Sequence, residues 1–345
     1  MKRLSSTLTH VPTNIPSMWT QYLTRPTNID INESNILIFP GYGSLRSGVG
    51  KDLVQNKNSL EIIEHANEIL GLNILKTLEK GKPSIINDVR VAFPILLTLS
   101  IAKTAEISDE KPEILENCIL TTGFSEGEVS ALVFSGAIPF SVGLEYIRLK
   151  GKLLHDVSIR NNLVMASVCV DEKSKFKLAL SEINSQMNDK NASLVTAIYL
   201  TSNNKVISGH KQLVLKLKNT ISKYGILDVK ILNYPYSIHN HQMKCVSNAL
   251  KKYIIKNADQ FTLPRVPVVS NILAEPYISV NQMISFLPRL VSMPLKWEQT
   301  LHSMFSRPLT EELPNVYELN SNENLADVAK IVNKRISEKY KIVQL

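Results

Sequence analysis

A glycine–serine–glycine turn between a strand-like and a helix-like segment constrains the fold of this chain more than any other feature. The segment Cys118-Ile119-Leu120-Thr121-Thr122 is β-prone, Gly123-x-Ser125-x-Gly127 follows, and residues 129–137 are apolar and helix-like. Glycine at both ends of the motif permits a tight strand-to-helix turn that exposes the serine in a strained backbone. The pattern predicts an α/β protein in which Ser125 is a candidate nucleophile.

The turn also predicts an oxyanion site. A helix that begins directly after a serine offers unpaired N–H groups and the positive end of its dipole. The backbone N–H of Glu126 is the natural first donor to a developing oxyanion. A second glycine-rich turn, Pro40-Gly41-Tyr42-Gly43-Ser44, follows another buried strand-like segment at 35–39.

A nucleophilic serine needs a base, and the best candidates are two histidines. His239 and His241 follow a strand-like segment, whereas His65, His155 and His302 lie within helical patterns. The residues and their local patterns favour this pair as the source of the base but do not distinguish His239 from His241. A His-x-His pair also suits a metal, but no third ligand stands out, so no metal site is predicted.

The middle of the chain predicts a small inserted module. Residues 163–232 alternate strand-like and helix-like segments in the order strand–helix–strand–strand–helix–strand, which is typical of a ferredoxin-like unit. We therefore predict a large α/β subdomain formed by 31–158 and 232–345 and a small subdomain at 159–231. Before the insertion, residues 93–106 predict a buried helix that is entered just after Phe93-Pro94, with the proline at its first turn.

Composition bears on compartment and partners. The 345-residue chain has a formal net charge of +8, and its first 29 residues contain basic and hydroxyl side chains but no acid. That composition is typical of a mitochondrial transit peptide, predicted here at 1–30. Three widely spaced cysteines favour a reducing compartment. The longest apolar run, at 93–102, is short for a membrane span, and no basic stripe with interleaved aromatics indicates nucleic-acid binding.

Several motifs occur together in an order typical of one enzyme family. They are Phe39-Pro40-Gly41-Tyr42-Gly43-Ser44, Gly123-Phe124-Ser125-Glu126-Gly127-Glu128, Val206-Ile207-Ser208-Gly209-His210, His239-x-x-x-Met243 and Val268-Val269-Ser270-Asn271. Over roughly residues 36–335 the chain resembles the malonyl-CoA:acyl-carrier-protein transacylases, especially the animal mitochondrial form. The resemblance implies a hydrolase-like large subdomain with a parallel sheet and an inserted ferredoxin-like small subdomain.

The resemblance also implies site residues and a reaction. Ser125 would be the nucleophile and His239 the general base, oriented by a backbone carbonyl, and backbone N–H groups of Tyr42 and Glu126 would bind the oxyanion. Lys150 stands where the family has the arginine that holds the malonyl carboxylate. The implied reaction is ping-pong malonyl transfer from malonyl-CoA to acyl carrier protein in mitochondrial fatty acid synthesis. A matrix location, a monomer and no bound cofactor are expected.

The chain departs from the family around the acyl pocket, where polar residues become apolar, bulky or differently charged. Lysine keeps the positive charge of arginine but loses its bidentate fork. The alternatives are therefore a transacylase with a changed acyl preference, a weakly active or non-catalytic carrier-binding homologue and, least favoured, a general serine esterase. The departing positions are Leu45, Phe93, Lys150, Ile198, Arg289 and the apparent insertion Met293.

Overall fold

The structure is a computed structural model that describes residues 29–80, 83–186, 193–232, 236–305, 310–319 and 324–345. Nearly all of the predicted leader at 1–30 lies outside the described residues, so it stays a prediction. The described chain contains a parallel sheet surrounded by helices and a separate antiparallel sheet. This arrangement confirms the predicted fold class.

The parallel sheet forms the body that carries the candidate nucleophile. Its strand order is β7-β2-β1-β8-β9, and every pairing in it is parallel. Strand β1 (NILIF) is buried along its whole length, as expected where helices cover both faces of a parallel sheet. The strands are β1 Asn35–Phe39, β2 Cys118–Gly123, β7 Val268–Val269, β8 Asn315–Leu319 and β9 Tyr340–Val343.

The antiparallel sheet has the predicted ferredoxin-like chain order and lies within the predicted small subdomain. Its spatial order is β4-β5-β3-β6. A separate apolar core packs beneath it, whereas the larger core fills the rest of the described chain. The elements are β3 Leu163–Val170, β4 Leu194–Tyr199, β5 Asn204–His210 and β6 Ile226–Ile231, with helices α8 Phe176–Ser185 and α9 Lys211–Asn219.

The remaining helices pack around the parallel sheet. The helix at Lys57–Leu70 ends at Gly71, which caps it in the left-handed conformation. The helices are α1 Lys57–Leu70, α2 Ile74–Lys80, α3 Pro83–Ile86, α4 Val89–Glu110, α5 Pro112–Glu116, α6 Gly127–Phe134, α7 Phe140–Arg160, α10 Lys244–Lys256, α11 Val280–Phe286, α12 Trp297–Phe305 and α13 Asn324–Val332.

The predicted start of the buried helix is wrong. Helix α4 begins at Val89, five residues before Pro94, because the Asp88 side chain accepts a hydrogen bond from the Arg90 N–H and caps it. Pro94 therefore lies inside the helix, where its missing N–H is tolerated in a segment packed against α1 and α7. By length and composition α4 alone among the described helices could cross a membrane, but most of it is buried inside the protein.

The two sheets meet where β4 lies beside the segment before α12. The Tyr199 N–H donates to the Leu295 carbonyl at 2.9 Å, and the Leu295 N–H donates to the Ala197 carbonyl at 2.8 Å. These bonds fix one face of the small sheet opposite the carboxyl ends of β1 and β2. A cleft between the two bodies results.

Candidate active site

Parallel pairing of β1 and β2 brings both glycine-rich turns to the same edge of the sheet. Phe39 lies opposite Gly123 at the ends of the two strands, and the Phe124 N–H donates to the Phe39 carbonyl at 2.9 Å. Loops at the carboxyl ends of parallel strands are where α/β proteins place their ligands. The topology therefore places the 40–44 turn beside Ser125.

Both glycines of the serine turn are required by close backbone approach. A Cβ built on Gly123 would lie 1.9 Å from the carbonyl carbon of Gly127, and one on Gly127 would lie 2.5 Å from the carbonyl oxygens of Phe39 and Pro40. Between them Ser125 adopts a positive φ of 55°, a costly conformation for a residue with a Cβ. The turn has the geometry that the sequence predicts for a nucleophile elbow.

The structure brings His239, and not His241, to the serine. Ser125 Oγ and His239 Nε2 are 2.9 Å apart, within the range for direct proton transfer. The other ring nitrogen, His239 Nδ1, lies 2.5 Å from the Leu290 carbonyl oxygen. Because a carbonyl only accepts, it fixes Nδ1 as the protonated nitrogen and leaves Nε2 free to accept the serine proton. His241 is exposed and instead pairs with Ser193 at 2.9 Å.

The candidate base, His239, is buried and uncharged at neutral pH. Burial lowers the pKa of His239 from its ordinary 6.5 to about 4, against the opposing effect of the Glu126 charge. The residue also has a φ of 60°, and its N–H donates to the Val291 carbonyl at 2.8 Å. Consecutive carbonyls at 290 and 291 thus hold both the ring and the backbone of His239, although Arg289 and Met293 depart from the family pattern nearby.

Two buried side chains that the sequence did not single out hold the serine turn. The Ser125 N–H donates to Asn271 Oδ1 at 3.1 Å. The Asn271 N–H in turn donates to Glu128 Oε2 at 2.7 Å, and the Tyr277 hydroxyl donates to Glu128 Oε1 at 2.5 Å. Burial raises the pKa of Glu128 to about 7. Glu128 and Asn271 both lie in the sequence motifs named above, and only that position could have indicated their role.

A second buried group supports the loop that carries His239. Asn240 Nδ2 donates to Ser208 Oγ at 2.6 Å and to Ser237 Oγ at 2.9 Å. The Ser237 N–H donates to Ser158 Oγ at 3.0 Å. Because Ser208 belongs to β5 and Ser158 to α7, these bonds tie the His239 loop to both bodies of the molecule.

A cavity of about 280 Å³ opens at the serine, between the two bodies. Its floor is formed by the glycine-rich turn, the elbow and His239, and its far wall by the small sheet. Ile198, one of the departures from the family pattern, contributes to the apolar wall. The lining residues on the small-sheet side are Met165, Ser167, Ile198, Leu200 and Val206.

The predicted oxyanion donors and the predicted carboxylate-binding cation occupy different places. Tyr42 and Glu126 line the cavity. Lys150 is not among the lining residues; it is almost wholly buried, and its Nζ lies 2.9 Å from Glu126 Oε1. Although burial opposes it, the Lys150 charge keeps the pKa of Glu126 below its ordinary value, so this carboxyl is ionised at neutral pH. Lys150 therefore already has a carboxylate partner within the protein.

The described residues contain no cluster of three or more metal-ligating side chains. The site instead combines a strained serine, a neutral histidine with a fixed tautomer, and N–H groups at the start of α6. Such a set can form and break an ester at Ser125, which is the chemistry of acyl transfer.

Comparison with known proteins agrees with this geometry. Residues 36–304 match the acyl transferase domain family. The mitochondrial malonyl-CoA-acyl carrier protein transacylase of Mus musculus is 27% identical over 317 residues, covering 91% of this chain and 83% of that protein. The mitochondrial enzyme of the same name from Homo sapiens is 27% identical over 320 residues, covering 91% of this chain and 80% of that protein.

Solved structures share the fold. Malonyl-CoA:acyl carrier protein transacylase from Xanthomonas oryzae superposes with a TM-score of 0.80 at 20% identity, covering 91% of this chain and 96% of that one. A malonyl-transacylase solved in complex with its type II polyketide acyl-carrier protein superposes with a TM-score of 0.78 at 22% identity, covering 90% and 96%. Since the family match extends over most of the sequence, the chain belongs to the acyl transferase domain family.

Proposed function

We propose that this protein transfers a malonyl group from malonyl-CoA to the phosphopantetheine thiol of acyl carrier protein through an acyl-Ser125 intermediate. The observation that carries the proposal is the Ser125 Oγ–His239 Nε2 contact of 2.9 Å at the base of a cavity. The names of the mouse and human relatives supply the acyl donor and the acceptor.

The first half-reaction acylates the serine. His239 Nε2 accepts the Ser125 Oγ proton as the oxygen attacks the thioester carbonyl. The new oxyanion lies between the start of α6 and the 40–44 turn, where the backbone N–H groups of Glu126 and Tyr42 donate to it. The carbon–sulfur bond then breaks, and the imidazolium returns its proton to the CoA thiolate.

The second half-reaction runs the same steps with a different thiol. The phosphopantetheine thiol gives its proton to His239 Nε2, and its sulfur attacks the ester carbonyl of malonyl-Ser125. Collapse of the tetrahedral intermediate releases Ser125, which recovers a proton from His239. The Leu290 carbonyl keeps the imidazole in one tautomer throughout, so no aspartate is required.

Within this proposal Lys150 is the cation that meets the malonyl carboxylate. It is the buried cation paired with a cavity-lining residue, and its Nζ lies 5.6 Å from the centre of the Phe93 ring. A lysine offers a point charge and no fork, so it would hold a carboxylate less rigidly than an arginine.

The mitochondrial matrix is the proposed location. The relatives in mouse, human and Drosophila melanogaster carry mitochondrial names. The acid-free, basic and hydroxyl-rich segment before Asp30 has the composition of an import signal.

The decisive experiment is intact-mass spectrometry after mixing the purified protein with malonyl-CoA. We expect a malonyl adduct that maps to Ser125, is absent in Ser125→Ala and is discharged by holo acyl carrier protein. Hydrolysis of simple esters without need of a carrier would indicate an esterase. Failure to form an adduct with any acyl-CoA, together with carrier binding unchanged in Ser125→Ala, would contradict the proposal and indicate a binding module.

A further inference from the structure

The cavity has an acid in its wall beside the candidate nucleophile. The Glu126 side chain is only 5% exposed, and its residue lines the cavity directly after Ser125. Lys150, from α7, is 1% exposed and lies behind it. The elbow thus contributes both an oxyanion donor, through its backbone, and a negative charge, through its side chain.

Glu126 forms an ion pair with the cation that a carboxylate-bearing substrate would bind. Among the described residues Lys150 has one ion-pair partner, Glu126, at 2.9 Å. Arg148, two residues away on the same helix, is engaged elsewhere, with Glu145 at 2.6 Å. The Glu126 Oε1 atom has no well-aligned hydrogen-bond donor in the described part of the chain. The Lys150 Nζ atom thus meets one oxygen of the Glu126 carboxylate, and a competing carboxylate can exchange with it.

The charge count of the site decides which acyl groups fit without rearrangement. His239 is neutral and the charges of Glu126 and Lys150 sum to zero, and Glu128 does not line the cavity. A neutral acyl group leaves that sum unchanged. A malonyl carboxylate makes it −1 in a largely apolar cavity, and an unpaired buried charge is costly. To enter, the malonyl carboxylate must replace the Glu126 carboxylate at Lys150.

We propose that Glu126 is a specificity-determining residue whose carboxylate competes with the acyl carboxylate of the substrate for Lys150. This inference rests on the proposed acyl transfer through Ser125. Glu126 penalises dicarboxylic acyl groups relative to neutral ones of the same size. Lys150 attracts carboxylate-bearing acyl groups, and Glu126 weakens that attraction by competing for the same ammonium group.

The test compares malonyl-CoA with butyryl-CoA, a neutral acyl donor of similar length. We measure kcat/KM for Ser125 acylation by each donor and take their ratio in the wild type and in Glu126→Gln. Removing the carboxylate also withdraws a charge that stabilises the His239 imidazolium, but that effect acts on both donors and cancels in the ratio. We expect the malonyl-to-butyryl ratio to rise about tenfold or more, because the competing anion is gone.

Lys150→Met supplies the matched control. In the Lys150→Met background, Glu126→Gln removes only the repulsion between the two carboxylates, because the contested cation is absent, so the ratio should rise much less than it does with Lys150 present. If Glu126→Gln alone does not fold, as judged by circular dichroism and thermal melting, the double variant restores a neutral pair of similar volume. That double variant should fold and should have a lower malonyl-to-butyryl ratio than the wild type.

The outcomes separate this inference from the proposed function. A wild-type malonyl adduct on Ser125 with a ratio that Glu126→Gln changes less than twofold overturns the role of Glu126 and leaves malonyl transfer intact. A wild type that accepts butyryl but never malonyl refutes malonyl transfer. In that case the inference still requires Glu126→Gln to gain a malonyl adduct, and no gain overturns it too. An equal rise in the ratio with and without Lys150 also overturns it.

Discussion

The buried histidine gives a quantitative prediction about how acylation depends on pH. Burial lowers the pKa of His239 to about 4 from its ordinary 6.5. The base acts only in its neutral form, so the acid limb of the rate profile reports this pKa. We expect single-turnover acylation of Ser125 to keep nearly its full rate at pH 5.5.

The expected contrast is large. With a pKa of about 4, about 97% of His239 is neutral at pH 5.5, whereas an ordinary histidine would be about 9% neutral. Acylation at pH 5.5 should therefore run within about 10% of its rate at pH 8, and not at about a tenth of it.

The free energy of unfolding should also change over the pH range in which His239 titrates. The folded-state pKa of His239 lies below that of the unfolded chain, so the unfolded state binds more protons between pH 6.5 and about 4. This contribution is present in full above pH 6.5 and is lost as the pH falls, by about 3 kcal/mol in total. Urea unfolding at each pH shows how much of any activity loss comes from unfolding.

The assay is rapid-quench mass spectrometry of the acyl-enzyme at constant ionic strength from pH 4.5 to 8. Ser125→Ala provides the blank. Glu128, with a pKa of about 7, contacts the elbow through Asn271, so Glu128→Gln identifies any step near neutrality that belongs to that carboxyl. A single acid limb centred between pH 6 and 7 that persists in Glu128→Gln would refute the idea that burial keeps the base neutral.

Two further predictions concern the serine turn. In Gly127→Ala the new Cβ meets two backbone oxygens that cannot rotate away; we expect a loss of about 1–3 kcal/mol in the free energy of unfolding and no acyl-enzyme. Gly48→Ala, in open space with positive φ, is the control: its backbone strain also costs stability, but without a collision at the elbow it should keep the acyl-enzyme, and loss of the acyl-enzyme in both variants would contradict the collision. In Asn271→Ala the Ser125 N–H loses its acceptor; we expect about 1–3 kcal/mol less stability and about tenfold slower acylation with the same acid limb, rescued by Asn271→Asp. Wild-type rates in Asn271→Ala would rule out this positioning role.

Local residue chemistry made the serine turn and the fold class predictable. A tight turn between a strand and a helix needs glycine where two backbone segments touch. Gly123 and Gly127 meet that requirement, and both can be read directly from the sequence. The order of strands and helices at 163–232 likewise follows from short-range periodicity. Both features depend on neighbours within a few positions along the chain.

The start of α4 shows where such local patterns fail. Proline is common in the first turn of a helix, so Pro94 suggested a start beside it. Capping by Asp88 and burial against α1 and α7 instead carry the helix back to Val89. Packing energy outweighed the local preference.

By itself, the sequence determined the α/β class, the inserted module and Ser125 at the elbow, because each depends on local backbone geometry or on hydrophobic periodicity. Residue chemistry alone left His239 and His241 open, and the family resemblance favoured His239. Only the tertiary structure gives the physical reason, because the carbonyl that orients the ring belongs to Leu290, 51 positions away. It alone revealed that Lys150 is already paired, because Glu126 reaches it from a different element. Long-range contacts of this kind leave no periodic pattern in the sequence, and in this protein they orient His239 and pair the charges of Glu126 and Lys150.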